Sequence, residues 1–294
     1  MDAPPEKGED TRPFEMVTRW LRGHGYSAPE VIAWDETEGF LLLEDLGDTL
    51  YSNFLSDNPD AGSETALYRA AVKVLVSLAR HDVPDWLPAY DAEVLDREAR
   101  LFVEWWLPAA TGQKVETDLI DEYSALVADA TRAVEPVREV TVLRDYHAEN
   151  LIWLPDREGE ARVGLLDYQD ALAGHPAYDL VSLLEDARRD TSADLQETML
   201  QFYLAERPEL EETRFRADYA ALGAQRNLKI IGIFTRLAVR DRKSRYLALI
   251  PRVWRHLMHD LSHPDLLALA NWVEQHSPEP SDRVLAQIEQ QSTR

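Results

Sequence analysis

The order of patterns along these 294 residues predicts an α+β fold. Extended segments fall into two separate clusters and do not alternate with helices. Long apolar stripes at helical spacing fill the stretches between and after them. A 45% hydrophobic chain of this length can bury a substantial core, in one large or two smaller domains.

The first helix is expected over Phe14 to Arg22, where Phe14, Val17 and Leu21 share a face flanked by Trp20, and Gly23 and Gly25 stop it. VIAW and FLLLE flank the turn-like DETEG and read as a β-hairpin whose second strand is apolar enough to be buried. The chain leaves that strand through EDLGD, and a domain boundary is expected there, with residues 1–48 on one side and 49–294 on the other. From Thr49 to about Pro136 the pattern is helical. It is clearest where Leu67, Ala71, Val74, Leu75 and Leu78 form a stripe, with Ser63 placed to cap the start. Short strands return at VTVL, NLIWL and ARVGLLDY, the last two joined by the turn DREGE. Beyond Ala177 the pattern is helical again, broken near Pro208, Pro251 and Pro264, and SPEPSDR reads as a solvated loop before a last short helix.

Composition excludes several partners. With 54 Asp plus Glu against 31 Lys plus Arg, the net charge of -23 repels nucleic-acid backbones and anionic lipid, so neither nucleic acid nor membrane is expected as a partner. An anionic small molecule would need a bound cation and a locally favourable pocket. The absence of Cys removes disulfides, thiol nucleophiles and cysteine-ligated zinc. The start MDAPPEKGEDTR carries no secretory pattern, and no apolar run approaches the ~18 residues of a membrane span, so a soluble cytoplasmic protein is the expectation.

The chemistry-bearing stretch is LRDYHAEN, Leu143 to Asn150, followed by Asp167 in VGLLDYQDA. An Asp with four residues between it and an Asn, on a loop between short strands, has the spacing of a phosphoryl-transfer loop. There the Asp takes the proton of the attacking hydroxyl and the Asn holds Mg²⁺. A strand through VGLLD pairing with NLIWL would bring Asp167 beside Asn150. Two carboxylates about 5 Å apart repel by roughly 3 kcal/mol at an effective dielectric near 20, so Asp145, Asp167 and Asp170 together would favour a bound cation. The spacing alone is equally open to a structural reading, with Asp145 capping a turn, Asn150 in a left-handed position and Asp167 ending a strand.

Other residues compete for attention. Gly23, Gly25 and Ala28 match G-x-G-x-x-A but follow a helix, so a helix stop is the better reading. His147 and His175 could join Asp145 and Asp167 in a metallohydrolase, yet no H-x-x-x-H spacing pairs them. Glu104, Trp105 and Trp106 could stack on and hydrogen-bond a sugar, although a tryptophan pair in a helical region more often packs a core. Arg226 and Lys229 are candidate contacts for phosphate or another anion, or equally partners for surface carboxylates.

LRDYHAENLIWL followed by LLDYQDALAGHPAYDLVSLLEDARRD resembles the aminoglycoside phosphotransferase family of small-molecule kinases. The resemblance runs through nearly the whole chain in element order, and residues 145–186 are its most specific part. Within the family, MDAPPEK, GFLLLEDLGDTLY, EWWLPA and QRNLKIIGIFTRL look closest to the bacterial N-acetylmuramate/N-acetylglucosamine anomeric kinases of cell-wall recycling. The resemblance implies a protein-kinase-like fold and ATP with Mg²⁺ as cofactors, with a sugar or amino-alcohol acceptor. It implies Asp145 as base, Asn150 and Asp167 as metal ligands, and EDLG as a hinge that holds adenine through the backbone at Glu44 and Leu46, whose side chains need not matter. Asp179 would brace the loop or cap its helix, and, if Arg226 and Lys229 contact an anion, it would be phosphate or a lactyl carboxylate. The chain departs from the family at Leu143, where a His is usual, and at Tyr168 and Gln169, where Phe and Gly are usual. It also lacks a glycine-rich hairpin and a phosphate-pairing Lys. Three strands need on the order of 25 residues, and 13 precede Phe14, so Met1 is expected to be an internal position, with Lys7 a solvated charge. A catalytically dead binding protein is the second expectation.

Overall fold

A computed structural model describes Ala3, residues 10–134 and residues 137–292. Lys7 and Pro136 lie outside the described residues. Helix α1 (Arg12–Gly23) buries Phe14, Val17, Thr18 and Leu21 as its periodicity requires. Strands β1 (Val31–Asp35) and β2 (Phe40–Leu43) pair antiparallel across the turn at residues 36–39. In β2 only Leu41 is buried, while Phe40 and Leu42 are exposed. The expectation of a buried second strand is therefore corrected. The hairpin has one inward face, and pleating turns alternate residues away from it.

Helices α2 (Tyr51–Asp57), α3 (Ala61–Leu78), α4 (Ala92–Ala99), α5 (Leu107–Thr111) and α6 (Thr117–Thr131) follow, with a π-helical stretch Phe102–Trp106 leading into α5. The stripe of α3 is buried at all five expected positions. Its cap is Asp60 and not Ser63, because the Asp60 carboxylate accepts from Gly62 and Ser63 N–H at 2.9 and 3.0 Å. Next come β3 (Val140–Val142), β4 (Leu151–Trp153), β5 (Val163–Leu165) and β6 (Leu172–Gly174). Strand β4 pairs antiparallel with β5 and β3 with β6. The last helices are α7 (Ala177–Leu184), α8 (Ala193–Glu206), α9 (Glu212–Val239), α10 (Ile250–Asp260), α11 (Leu267–His276) and α12 (Asp282–Ser292).

Two compact units emerge, interleaved along the chain. The first comprises Met1–Pro88, Glu139–Leu184 and Thr191–Pro208, and the second Ala89–Arg138, Glu185–Asp190 and Glu209–Arg294. No division falls at residue 48. Trp153 N–H donates to Thr49 C=O at 2.8 Å and Leu50 bridges Ile152, which sews the chain after EDLGD into the unit that holds β1 and β2.

In the second unit, Phe102, Trp106, Tyr123, Leu228, Ile231, Leu257 and Trp272 belong to one buried cluster around α9. Gly232 lets α9 lie directly on the backbone of Leu101, where a Cβ would run into the Leu101 carbonyl. Gly232→Ala should therefore lower stability by about 1–3 kcal/mol in urea unfolding, as overpacking against backbone does. An unchanged midpoint would contradict this packing.

Candidate active site

The LRDYHAEN loop lies in the first unit between β3 and β4, and its shape is set by one buried side chain. Asp179, in the first turn of α7, accepts from Leu143 N–H at 2.6 Å and Arg144 N–H at 2.8 Å. Ser182, one helical turn further on, donates to Arg144 C=O at 3.1 Å. These bonds hold Arg144 at φ 71°, a left-handed conformation that a non-glycine residue keeps only when its surroundings impose it. Asp179 is thus the loop brace, one of its two expected roles. Leu143, which replaces the family's histidine, buries its side chain. Tyr146 donates to Ala71 C=O at 2.9 Å and ties the loop to α3.

So constrained, the chain presents Asp145 as an exposed carboxylate. Asn150 Nδ2 donates to Asp145 C=O at 2.9 Å, closing the loop on itself. The same nitrogen lies 3.4 Å from Asp167 Oδ2. The β4–β5 pairing sets Leu151 opposite Leu165, and Leu166 N–H donates to Asn150 C=O at 3.0 Å, which returns Asp167 to Asn150 as the strand pattern implied. The left-handed positions are Arg144 and Asp167, at φ 71° and 59°, and not Asn150. Gln169 donates to Asp167 Oδ1 at 2.7 Å. Tyr168 stacks on Phe14 with ring centroids 5.1 Å apart and shares a 2.7 Å hydrogen bond with Thr18, so this departure from the family anchors α1.

Asn150 and Asp167 each carry side-chain oxygens of the hard type, although the Asn150 atom that faces Asp167 is Nδ2. Among the described residues no three His, Cys, Asp or Glu side chains are grouped to cage a metal by themselves. Mg²⁺ fits this arrangement, since it is commonly held by one or two protein oxygens together with substrate phosphates and water. His147 is buried near Asn150, and His175 Nδ1 accepts from Ala177 N–H at 3.1 Å at the start of α7; they do not form a metal cluster.

The EDLGD segment is an ordered turn. Asp45 accepts from Gly47 N–H at 2.8 Å, and Gly47 sits at φ 82°. Glu44 C=O and Leu46 N–H enter no hydrogen bond among the described residues. Both side chains are engaged within the protein. Leu46 is buried against Gly164 of β5, where a Cβ would come within 3.3 Å of it. Glu44 pairs with Arg157 at 2.8 Å and Arg22 at 3.1 Å, and accepts from Glu30 N–H at 3.1 Å. Burial pulls its carboxyl upward, but these donors outweigh it and hold the group below its ordinary range.

The remaining candidates lie in the second unit. Glu104 is exposed and paired with Arg100 at 3.3 Å. Trp106 is fully buried and donates its indole N–H to Ser277 at 2.8 Å, so it packs the core and the expectation that it stacks on substrate is corrected. Lys229 pairs with buried Glu98 at 3.0 Å. Arg226 is buried and its charge offsets Glu185. There the structure holds a polar cluster that sequence reasoning missed. Asn227 donates to Glu185 at 2.7 Å and to Asp260 at 2.9 Å, and the two carboxyls hydrogen-bond one another. No sequence spacing links these three positions.

The model of the phosphotransferase enzyme family matches residues 1–215, and the chain belongs to that family. The N-acetylmuramate/N-acetylglucosamine kinase of Caulobacter vibrioides is 42% identical over 274 residues, 90% of this chain and 74% of the relative. The kinase of the same name from Pseudomonas aeruginosa is 36% identical over 265 residues, 87% of this chain and 75% of the relative. An ADP-bound aminoglycoside phosphotransferase shares the fold, with a TM-score of 0.54, 18% identity, and coverage of 84% of this chain and 80% of that one.

Burial, and then the neighbouring Glu185 carboxylate, raise Asp260 well above the usual carboxylate range, and burial raises Glu185 as well, so the pair retains a proton that the separate carboxyls would lose. A raised folded-state value gives stability that is complete below the unfolded pKa of about 4 and is lost as pH rises toward the folded value. Asp260→Asn keeps a neutral hydrogen-bonding group there. Its melting temperature relative to wild type should rise as pH goes from about 5 to about 9, and a falling difference would contradict the assignment.

Proposed function

We propose that this chain is an ATP- and Mg²⁺-dependent kinase that phosphorylates the anomeric hydroxyl of N-acetylmuramate or N-acetylglucosamine in cytoplasmic peptidoglycan recycling. The observation that carries the acceptor is the 42% identity over 90% of the chain to a kinase named for those two sugars. The support for the chemistry is the braced loop with its exposed Asp145, beside Asn150 and Asp167.

In this reading Asp145 orients the C1 hydroxyl and accepts its proton as the sugar oxygen bonds to the γ-phosphorus and the β–γ bridge oxygen leaves with ADP. Asn150 and Asp167 would hold Mg²⁺, which supplies charge neutralisation at the phosphates. Adenine carries a donor, its 6-amino group, and an acceptor, N1, side by side on one edge, which suits Glu44 C=O and Leu46 N–H. Within the first unit, the EDLG segment would contribute the adenine side and the LRDYHAEN loop the catalytic side.

Asp145→Asn should lower turnover by about 10² to 10⁴, with sugar affinity changed only a few-fold. Unchanged turnover would remove the proposal. Sugar binding without turnover by the wild-type chain would favour a binding protein, and competition by an aminoglycoside or choline-like amino alcohol as the better acceptor would reassign the substrate.

A further inference from the structure

We propose that Arg157 is a positioning residue for nucleotide binding: from the turn between β4 and β5, its guanidinium clasps Glu44 and Ser27 and thereby fixes the backbone that faces adenine. The inference rests on the reading of EDLG as the adenine hinge.

Arg157 spans two partners. Nη2 donates to Glu44 Oε1 at 2.8 Å and Nη1 to Ser27 Oγ at 2.7 Å. The turn that carries it is itself held, since Arg157 N–H donates to Leu154 C=O at 3.1 Å and Arg162 Nε donates to Arg157 C=O at 2.9 Å. Ser27 closes the circuit. Its hydroxyl donates to Ala161 C=O at 2.6 Å in the same turn, and its carbonyl accepts from Leu165 N–H at 2.9 Å in β5. Three segments distant in sequence therefore meet at one planar, five-donor group, a role for which a point-charge ammonium is a poor substitute.

The consequence falls on Glu44. Its second carboxylate oxygen takes Arg22 Nη1 and Glu30 N–H, each at 3.1 Å, and its own N–H donates to Glu30 C=O at 2.8 Å. Both sides of the side chain and the backbone nitrogen are thus engaged, while Glu44 C=O and, two residues on, Leu46 N–H enter no hydrogen bond among the described residues. Leu46 rests on Gly164, in the strand whose turn bears Arg157. The clasp and the Leu46 contact hold the segment from its two ends, so the carbonyl and N–H are preorganised as a pair. Preorganisation of this kind lowers the cost of binding and leaves the chemical step unchanged.

The test is steady-state kinetics of Arg157→Ala with ATP and N-acetylglucosamine varied separately, together with its melting temperature. KM for ATP should rise about 10-fold, with kcat and the sugar KM within about twofold of wild type. Arg157→Lys, which keeps the charge but cannot fork between both partners, should give the same split with a smaller rise. If Arg157→Ala is too unstable to assay, Arg157→Lys decides the question by that split. A KM for ATP within twofold of wild type, or an equal rise in the sugar KM, overturns the inference and leaves the adenine reading in place. A wild-type rate that never saturates with ATP overturns the adenine reading and the inference together.

Discussion

One buried carboxylate fixes the chemistry-bearing loop. Asp179 takes the N–H groups of two consecutive residues, Leu143 and Arg144, and in doing so turns the backbone sharply into Asp145. Hydrogen bonds to a charged acceptor contribute about 1.5–3 kcal/mol each, enough to hold one residue in a left-handed conformation that costs of order 1–3 kcal/mol. The loop does not rely on its own propensity. It is a strained turn over-determined by α7, and Ser182 adds a third tie from the same helix.

The same economy governs the segment that follows β2. Thr49 and Leu50 add to β4, β4 pairs with β5, and β5 bridges back to Ser27. The loop and EDLGD are therefore neighbours in one hydrogen-bonded framework within the first unit. Arg22 and Arg157 both converge on Glu44 there. In a chain with a net charge of -23, that convergence spends scarce cations on shaping backbone.

Much of this was legible in the sequence because it is carried by local pattern. The D-x-x-x-x-N spacing, the alternation that pairs NLIWL with VGLLD, and the α3 stripe each report a periodic or short-range constraint. What escaped reading depends on long-range partners. Strand β6 is only Leu-Ala-Gly, too short and small to signal a strand without β3 beside it. Whether Trp106 meets solvent or core is decided by Ser277, 171 residues away. Asp60 outranks Ser63 as a cap because the helix begins a few residues earlier than its apolar stripe. The Glu185–Asp260 pair brings together two acids that sequence patterning would each place at the surface, and Asn227 with a shared proton makes their burial tolerable.

The central claim is that this framework transfers a phosphoryl group to an anomeric oxygen. The direct measurement is ³¹P and ¹H NMR of the product formed from ATP, Mg²⁺ and N-acetylglucosamine. The account predicts a phosphate ester whose phosphorus couples to the anomeric proton, formed in step with ADP. A phosphate on another carbon, or ADP with free phosphate and unmodified sugar, would contradict it.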